Sequence, residues 1–236
     1  MPTWDELFRR GINIEGLAME VAMMARVLVG DTNLSPSLIK IWDVGCGTGR
    51  HTVYLARHGF AVYASDNSPK AIELTRNALA SERREAKLAV ADMEERPFKD
   101  VAFHGIILWN VIQHANREKI VRVLQNLKNA LLPGGLFLIS VKSTKAEEYG
   151  KGHCIEENTF VFEEGAEAGV PHHYFSREEL ETLLAPFEIL YLVESQEDYY
   201  AAIKSFMAFI PRDKLPYHNA HWVAMARNRS AVPRKS

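Results

Sequence analysis

One stretch, Ile39 to Asp66, fixes most of what this chain can fold into: IKIWDVGCGTGRHTVYLARHGFAVYASD. It opens with an apolar run, Ile39, Ile41, Trp42 and Val44, short enough for a strand buried on both faces. Gly45-Cys46-Gly47-Thr48-Gly49 follows at once. Three glycines in five residues let the backbone turn sharply and let a ligand approach it closely. Arg50 to Arg57 carry Val53, Leu55 and Ala56, enough for a short helix on a sheet, and Gly59 ends that helix. Phe60 to Ser65 is a second apolar run, and it ends on Asp66. An acid at the tip of a second strand, beside a glycine turn after the first, is an arrangement that binds a nucleoside ribose. The bland alternative is an ordinary strand-to-helix turn with Asp66 unpaired at the surface.

The glycine spacing narrows the choice. The dinucleotide pattern is G-x-G-x-x-G, whereas here the third glycine comes one residue early and Arg50 fills the expected place. Asp43 stands two residues before the first glycine. This combination resembles the first motif of class I S-adenosylmethionine-dependent methyltransferases. The resemblance implies S-adenosyl-L-methionine as cofactor and S-adenosyl-L-homocysteine as product. It places Asp43, Gly45, Cys46, Gly47 and Gly49 around the amino-acid part, and Asp66 and Asn67 at the ribose. Two rivals share these features: a nicotinamide-dependent oxidoreductase, against which the shortened spacing counts, and a protein that binds S-adenosylmethionine without catalysis.

Further along, Ser68-Pro69 starts a helix that runs to about Ser81. Lys87 to Ala91 reads as a third strand, followed by Asp92 and Met93. The resemblance implies that Asp92 bonds the adenine amino group and that Met93 packs on the ring. Phe103 to Asn110 is a fourth strand, with His104 where the family usually carries an Asp. Asn110 is the candidate for a backbone contact to the cofactor. His114 is either an acid/base group or a solvent-facing histidine at a helix start. Ile120, Leu124, Leu127 and Leu131 recur at helical spacing, and Leu-Pro-Gly-Gly then opens a fifth strand at Leu136 to Val141.

Lys142 to Phe175 reads as irregular, polar and acidic, and a long irregular stretch in a domain is usually functional or mobile. It supplies two further candidates for a general base, His172 and His173. Its Cys and His residues lack the paired spacing of a zinc site, so no metal is expected. Ser176 to Glu179 is a capping box, Phe187 to Val193 a sixth strand, Tyr199 to Phe209 a helix, and His221 to Ala226 a last strand.

Alternating strands and helices predict an α/β fold with a doubly wound parallel sheet. The resemblance makes it a seven-stranded, mostly parallel, Rossmann-like methyltransferase sheet with helices on both faces, its last strand antiparallel beside the fifth. A single domain is expected: an N-terminal helical lid at 1–36, a cofactor-binding core at 37–141, an irregular insertion at 142–175, the rest of the sheet at 176–230 and a tail at 231–236. Trp4 and Phe8 fit either a plain surface helix or that lid.

The formal net charge is −2 over 236 residues, which offers no extended basic track. The expectation is therefore a small-molecule methyl acceptor, with no nucleic acid and no membrane. Two cysteines make no disulfide framework, no run of ~20 apolar residues spans a bilayer, and the N-terminus lacks a secretory pattern. A cytoplasmic protein follows as the default, and the oligomeric state is left open.

Overall fold

The computed structural model describes residues 3–11, 16–165, 167–195 and 220–229. Two helices come first, α1 (Trp4–Arg9) and α2 (Met19–Thr32). Then β1 (Lys40–Val44), α3 (Arg50–Arg57), β2 (Ala61–Asp66), α4 (Pro69–Ser81), β3 (Lys87–Val90) and β4 (Phe103–Trp109) alternate. A short 3-10 turn, Ile112–His114, leads to α5 (Arg117–Ala130) and β5 (Leu131–Lys142). After it come β6 (His153–Glu156), β7 (Thr159–Val161), β8 (Pro171–His173), α6 (Arg177–Leu183), β9 (Phe187–Ser195) and β10 (His221–Asn228).

The main sheet has seven strands in the order β3-β2-β1-β4-β5-β10-β9. β1 through β5 pair in parallel, while β10 runs antiparallel between β5 and β9. The antiparallel last strand beside the fifth is thus where the resemblance placed it. The apolar runs are buried on both faces because side chains alternate with period two. Trp42, Ile106, Leu108, Phe137 and Ile139 point into one core, against Ile120, Leu124 and Leu127 of α5 and Leu180 of α6. Ile41, Ile107 and Leu138 point into the other, against Met24 and Leu28 of α2 and Leu55 of α3.

Three features go beyond the sequence reading. The strand after Leu-Pro-Gly-Gly begins at Leu131, because the backbone pairs with β4 through the turn, leaving a register shift between Phe103 and Gly105. His104, where the family usually carries an Asp, has a structural part: its Nδ1 accepts a bond from the Lys40 amide at 3.0 Å and ties β4 to β1. The stretch read as irregular folds into a second, antiparallel sheet, β6-β7-β8. Its strands are three or four residues long, too short for an alternation to stand out, and its buried anchors are His172, His173 and Tyr174 rather than aliphatic residues. The expected helix at Tyr199 to Phe209 and the tail from Ala231 lie outside the described residues.

Phe137, fully buried at the centre of β5 and stacked on Phe187 at 5.5 Å, tests this packing. Phe137→Ala should cost about 3–5 kcal/mol, a fall of roughly 6–20 °C in Tm, whereas Met19→Ala, 74% exposed, should leave Tm unchanged. Equal melting of the two variants by calorimetry would contradict the core assignment.

Candidate active site

All the parallel strands end on one edge, and the candidate residues gather there. The turn after β1 is shaped by hydrogen bonds that only glycine-rich backbone can reach. Gly45 and Cys46 donate their amides to the Ser65 carbonyl at 2.7 and 3.0 Å. Gly45, Gly47 and Gly49 all have positive φ. A side chain at Gly45 would run into Val111 and one at Gly49 into Thr75, but one at Gly47 would meet only Phe8 of α1, at 3.5 Å. Gly47 is therefore the glycine that faces outward from the turn.

Asp66 holds this turn to β2. One carboxylate oxygen accepts from the Gly47 amide at 2.9 Å and the other from the Ser68 amide at 2.9 Å. The residue is only 7% exposed, and burial raises its pKa while these backbone donors pull it back. The surface-Asp alternative is thus excluded. Asn67 beside it is exposed.

Asp43 lies deeper, 2% exposed, and accepts a bond from Thr52 Oγ1 of α3 at 2.7 Å. Burial lifts its pKa to about 6, against the opposing pull of Thr52 and of the Arg50 charge. It braces the helix that follows the turn. The Cys46 side chain also points inward, with Sγ 3.7 Å from Thr75 Oγ1, and burial pushes its thiol pKa up, so only its backbone faces the turn.

Asp92 sits at the tip of β3, accepting from the Glu94 amide at 2.9 Å and pairing with Lys119 of α5 at 2.8 Å. Met93 is partly buried against the α5-side core. Asn110 ends β4 in a left-handed conformation, φ 56°, which Asn tolerates better than most residues. Its amide donates to the Ser140 carbonyl and its Oδ1 accepts from Ser140 Oγ.

The N-terminal helix α1 crosses this edge. Asp5 accepts from Ser68 Oγ at 2.9 Å and from the Lys70 amide at 2.8 Å, docking α1 at the start of α4. The Arg9 bond, then those from Lys70 and Ser68, hold its pKa near 2. Phe8 covers Gly47, and Trp4 meets the His114 ring at 4.7 Å.

The three histidines differ sharply. His173 is tied at both nitrogens, Nδ1 to Thr159 Oγ1 at 2.7 Å and Nε2 to Glu179 at 3.1 Å, and so pins the second sheet to α6. His172 contacts the Val170 carbonyl through Nδ1 and Glu167 through Nε2, at 3.0 and 2.5 Å. His114 packs against His172 with ring centroids 4.8 Å apart, and its Nδ1 is buried without a hydrogen-bond partner among the described residues. Burial holds its pKa near 3. The sequence reading missed Glu167, Thr52, Thr75 and Val111. No local spacing marks them, since each acts on a residue far along the chain or in another element.

Residues 41–135 match the methyltransferase-domain family. Two solved structures share the fold. A S-adenosylmethionine-dependent methyltransferase from Clostridium acetobutylicum has a TM-score of 0.66 at 15% identity, over 96% of both chains. TehB from Haemophilus influenzae has a TM-score of 0.65 at 18% identity, over 96% of this chain and 67% of that one. Over residues 41–135 the chain is thus similar to methyltransferase domains, and its fold is that of S-adenosylmethionine-dependent methyltransferases. Among curated relatives is the tRNA N(3)-methylcytidine methyltransferase Mettl2 of Drosophila melanogaster, 26% identical over 162 residues, or 61% of this chain and 46% of that enzyme. The chain spans about half the length of the curated relatives it matches.

That relative corrects one expectation. A small-molecule acceptor with no nucleic-acid partner was inferred from a net charge of −2, but three curated relatives of this chain are tRNA N(3)-cytidine methyltransferases. Net charge is a sum over the whole surface and does not report a local RNA contact. No helix among the described residues is long and apolar enough to cross a membrane.

Asp43 gives this site a pH signature. Its folded carboxyl keeps a proton up to about pH 6, while an unfolded one releases it near 3.8. Its stabilising contribution is therefore complete below about pH 4 and lost as pH rises through 6, roughly 3 kcal/mol in all. Asp43→Asn should flatten that decline in urea titrations across this window; identical slopes for wild type and variant would contradict the buried acid.

Proposed function

We propose that this edge binds S-adenosylmethionine and that the chain transfers its methyl group to an RNA acceptor. The carrying observation is the buried Asp66 carboxylate beside the outward-facing Gly47, under α1. The residues fit the group. Asp66 spends one hydrogen bond per oxygen on the backbone, so a carboxylate with about four acceptor sites still has capacity for two ribose hydroxyls. Gly47 lets a ligand lie against the backbone, with Gly45, Gly49 and Cys46 shaping the turn and Asp43 bracing it. Asp92 and Met93 are assigned to the adenine and Asn110 to the methionine part, on the family resemblance and their places on the same edge. When bound, the cofactor supplies an electrophilic methyl on a sulfonium whose leaving group is neutral.

The chain's task is then to align, orient and keep water out. Trp4 and Phe8 supply the apolar cover. An acceptor nitrogen with a free lone pair needs no base. His172 and His173 are committed to partners, and His114, held neutral with a pKa near 3, is a weak proton acceptor at neutral pH. The RNA acceptor rests on the tRNA relatives.

Three measurements test the reading. S-adenosylhomocysteine should raise Tm by mass action, and NAD and NADP should not. Asp66→Ala should weaken S-adenosylhomocysteine binding by about 1.5–3 kcal/mol, and unchanged affinity in calorimetry would remove Asp66 from the site. Radiolabelled cofactor incubated with bulk tRNA should yield label that ribonuclease releases; label appearing only in small molecules would refute the RNA acceptor.

A further inference from the structure

His114, Glu167 and His172 each present one donor atom, and these atoms lie within 4.8 Å of one another. They come from three places: the turn after β4, the loop before β8, and β8 itself. Their surroundings prepare them as ligands. The His172 Nδ1 lies 3.0 Å from the Val170 carbonyl, which fixes a proton there, and its Nε2 faces Glu167 across 2.5 Å, where a bound cation would take the place of the proton they share. The backbone of Pro171 lies beside the His114 ring, whose Nδ1 is buried without a hydrogen-bond partner among the described residues. A ring nitrogen oriented by a backbone carbonyl on its far side is the usual support of a metal-binding imidazole.

From this geometry we infer that the chain binds one divalent transition-metal ion through His114, Glu167 and His172. A tetrahedral ion with bonds of about 2.1 Å spaces its ligand atoms about 3.4 Å apart. The observed separations, 2.5 Å for the Glu167–His172 pair and at most 4.8 Å overall, bracket that value, so small side-chain movements close the shell. Two imidazoles and one carboxylate suit Zn2+, Fe2+ or Co2+, whereas Mg2+ prefers all-oxygen sites. Three protein ligands leave at least one position open. Trp4 lies against His114, so the ion would sit below α1, next to the edge where β4 ends, and would clamp the second sheet to the turn after β4. The linear spacing of the histidines hides this site, because its carboxylate and its first histidine are 53 residues apart, at positions 114 and 167.

The test uses the full chain stripped with a chelator. Titration with Co2+ should give a saturable visible band at about one ion per chain, displaced by Zn2+, and Zn2+ but not Mg2+ should raise Tm. His114→Ala and Glu167→Gln should each weaken Co2+ binding by at least about tenfold. Glu167 is 35% exposed and Gln keeps a side-chain oxygen facing His172, so the Gln variant should fold. Absence of any saturable band, or a band of undiminished affinity in both variants, would overturn the site. The S-adenosylhomocysteine shift of the stripped wild type is read separately, so a failed metal site and a failed cofactor reading give different results.

Discussion

The carboxylate of Asp66 joins three things that must stay in register: the turn after β1, the tip of β2 and the start of α4. It does so through two backbone amides, those of Gly47 and Ser68. Burying an acid at 7% exposure is costly, and charge-assisted bonds to amides offset that cost. The turn is then completed from outside by Thr75, whose hydroxyl donates to the Gly47 carbonyl at 2.9 Å. A second buried acid, Asp43, lies close enough that the Asp66 charge adds to the rise in its pKa. The edge thus concentrates negative charge in a dry place. Such unfavourable burial is what functional sites retain and plain cores avoid.

That constraint also explains which parts of the fold were legible in the sequence. The glycine turn, the acid at the strand tip and the apolar runs are local and periodic, so β1, β2 and β4 and the helices between them could be read residue by residue. The antiparallel position of β10 was legible only through the family resemblance, since His221 to Ala226 alone says nothing about its neighbours. The second sheet was not legible. Cys154 and Ile155 are exposed in β6, while the buried positions in β8 are histidines, so hydrophobic periodicity pointed the wrong way.

The histidines carry the same lesson at the site. Three were candidates for one role on the strength of residue type. Their partners assign them three different positions: His173 is a structural pin to Thr159 and Glu179, His172 is paired with Glu167, and His114 alone of the three keeps a ring nitrogen without a hydrogen-bond partner among the described residues. The acceptor class was misread for a related reason. Charge, like residue type, was taken as a property of the whole chain, when recognition depends on what a few square nanometres of surface present.

The long-range convergence of His114, Glu167 and His172 follows from the sheet's topology. Parallel strands bring every carboxyl end to one edge, so the turn after β4 necessarily lies beside the exit of β5. The insertion leaves from that exit and returns through an isolated bridge between Ser143 and Phe175, which forces β8 back over the same edge. The Lys142 amide donating to Gln113 Oε1 at 3.2 Å fastens the turn to β5 at the point of departure. From the opposite side, Asp5 anchors α1 to α4 and carries Trp4 onto His114. Two segments separated by most of the chain therefore meet over one histidine. Loosening either should be felt at the other, because His114 has packed rings on both sides and the freedom of one cover depends on the seat of the other.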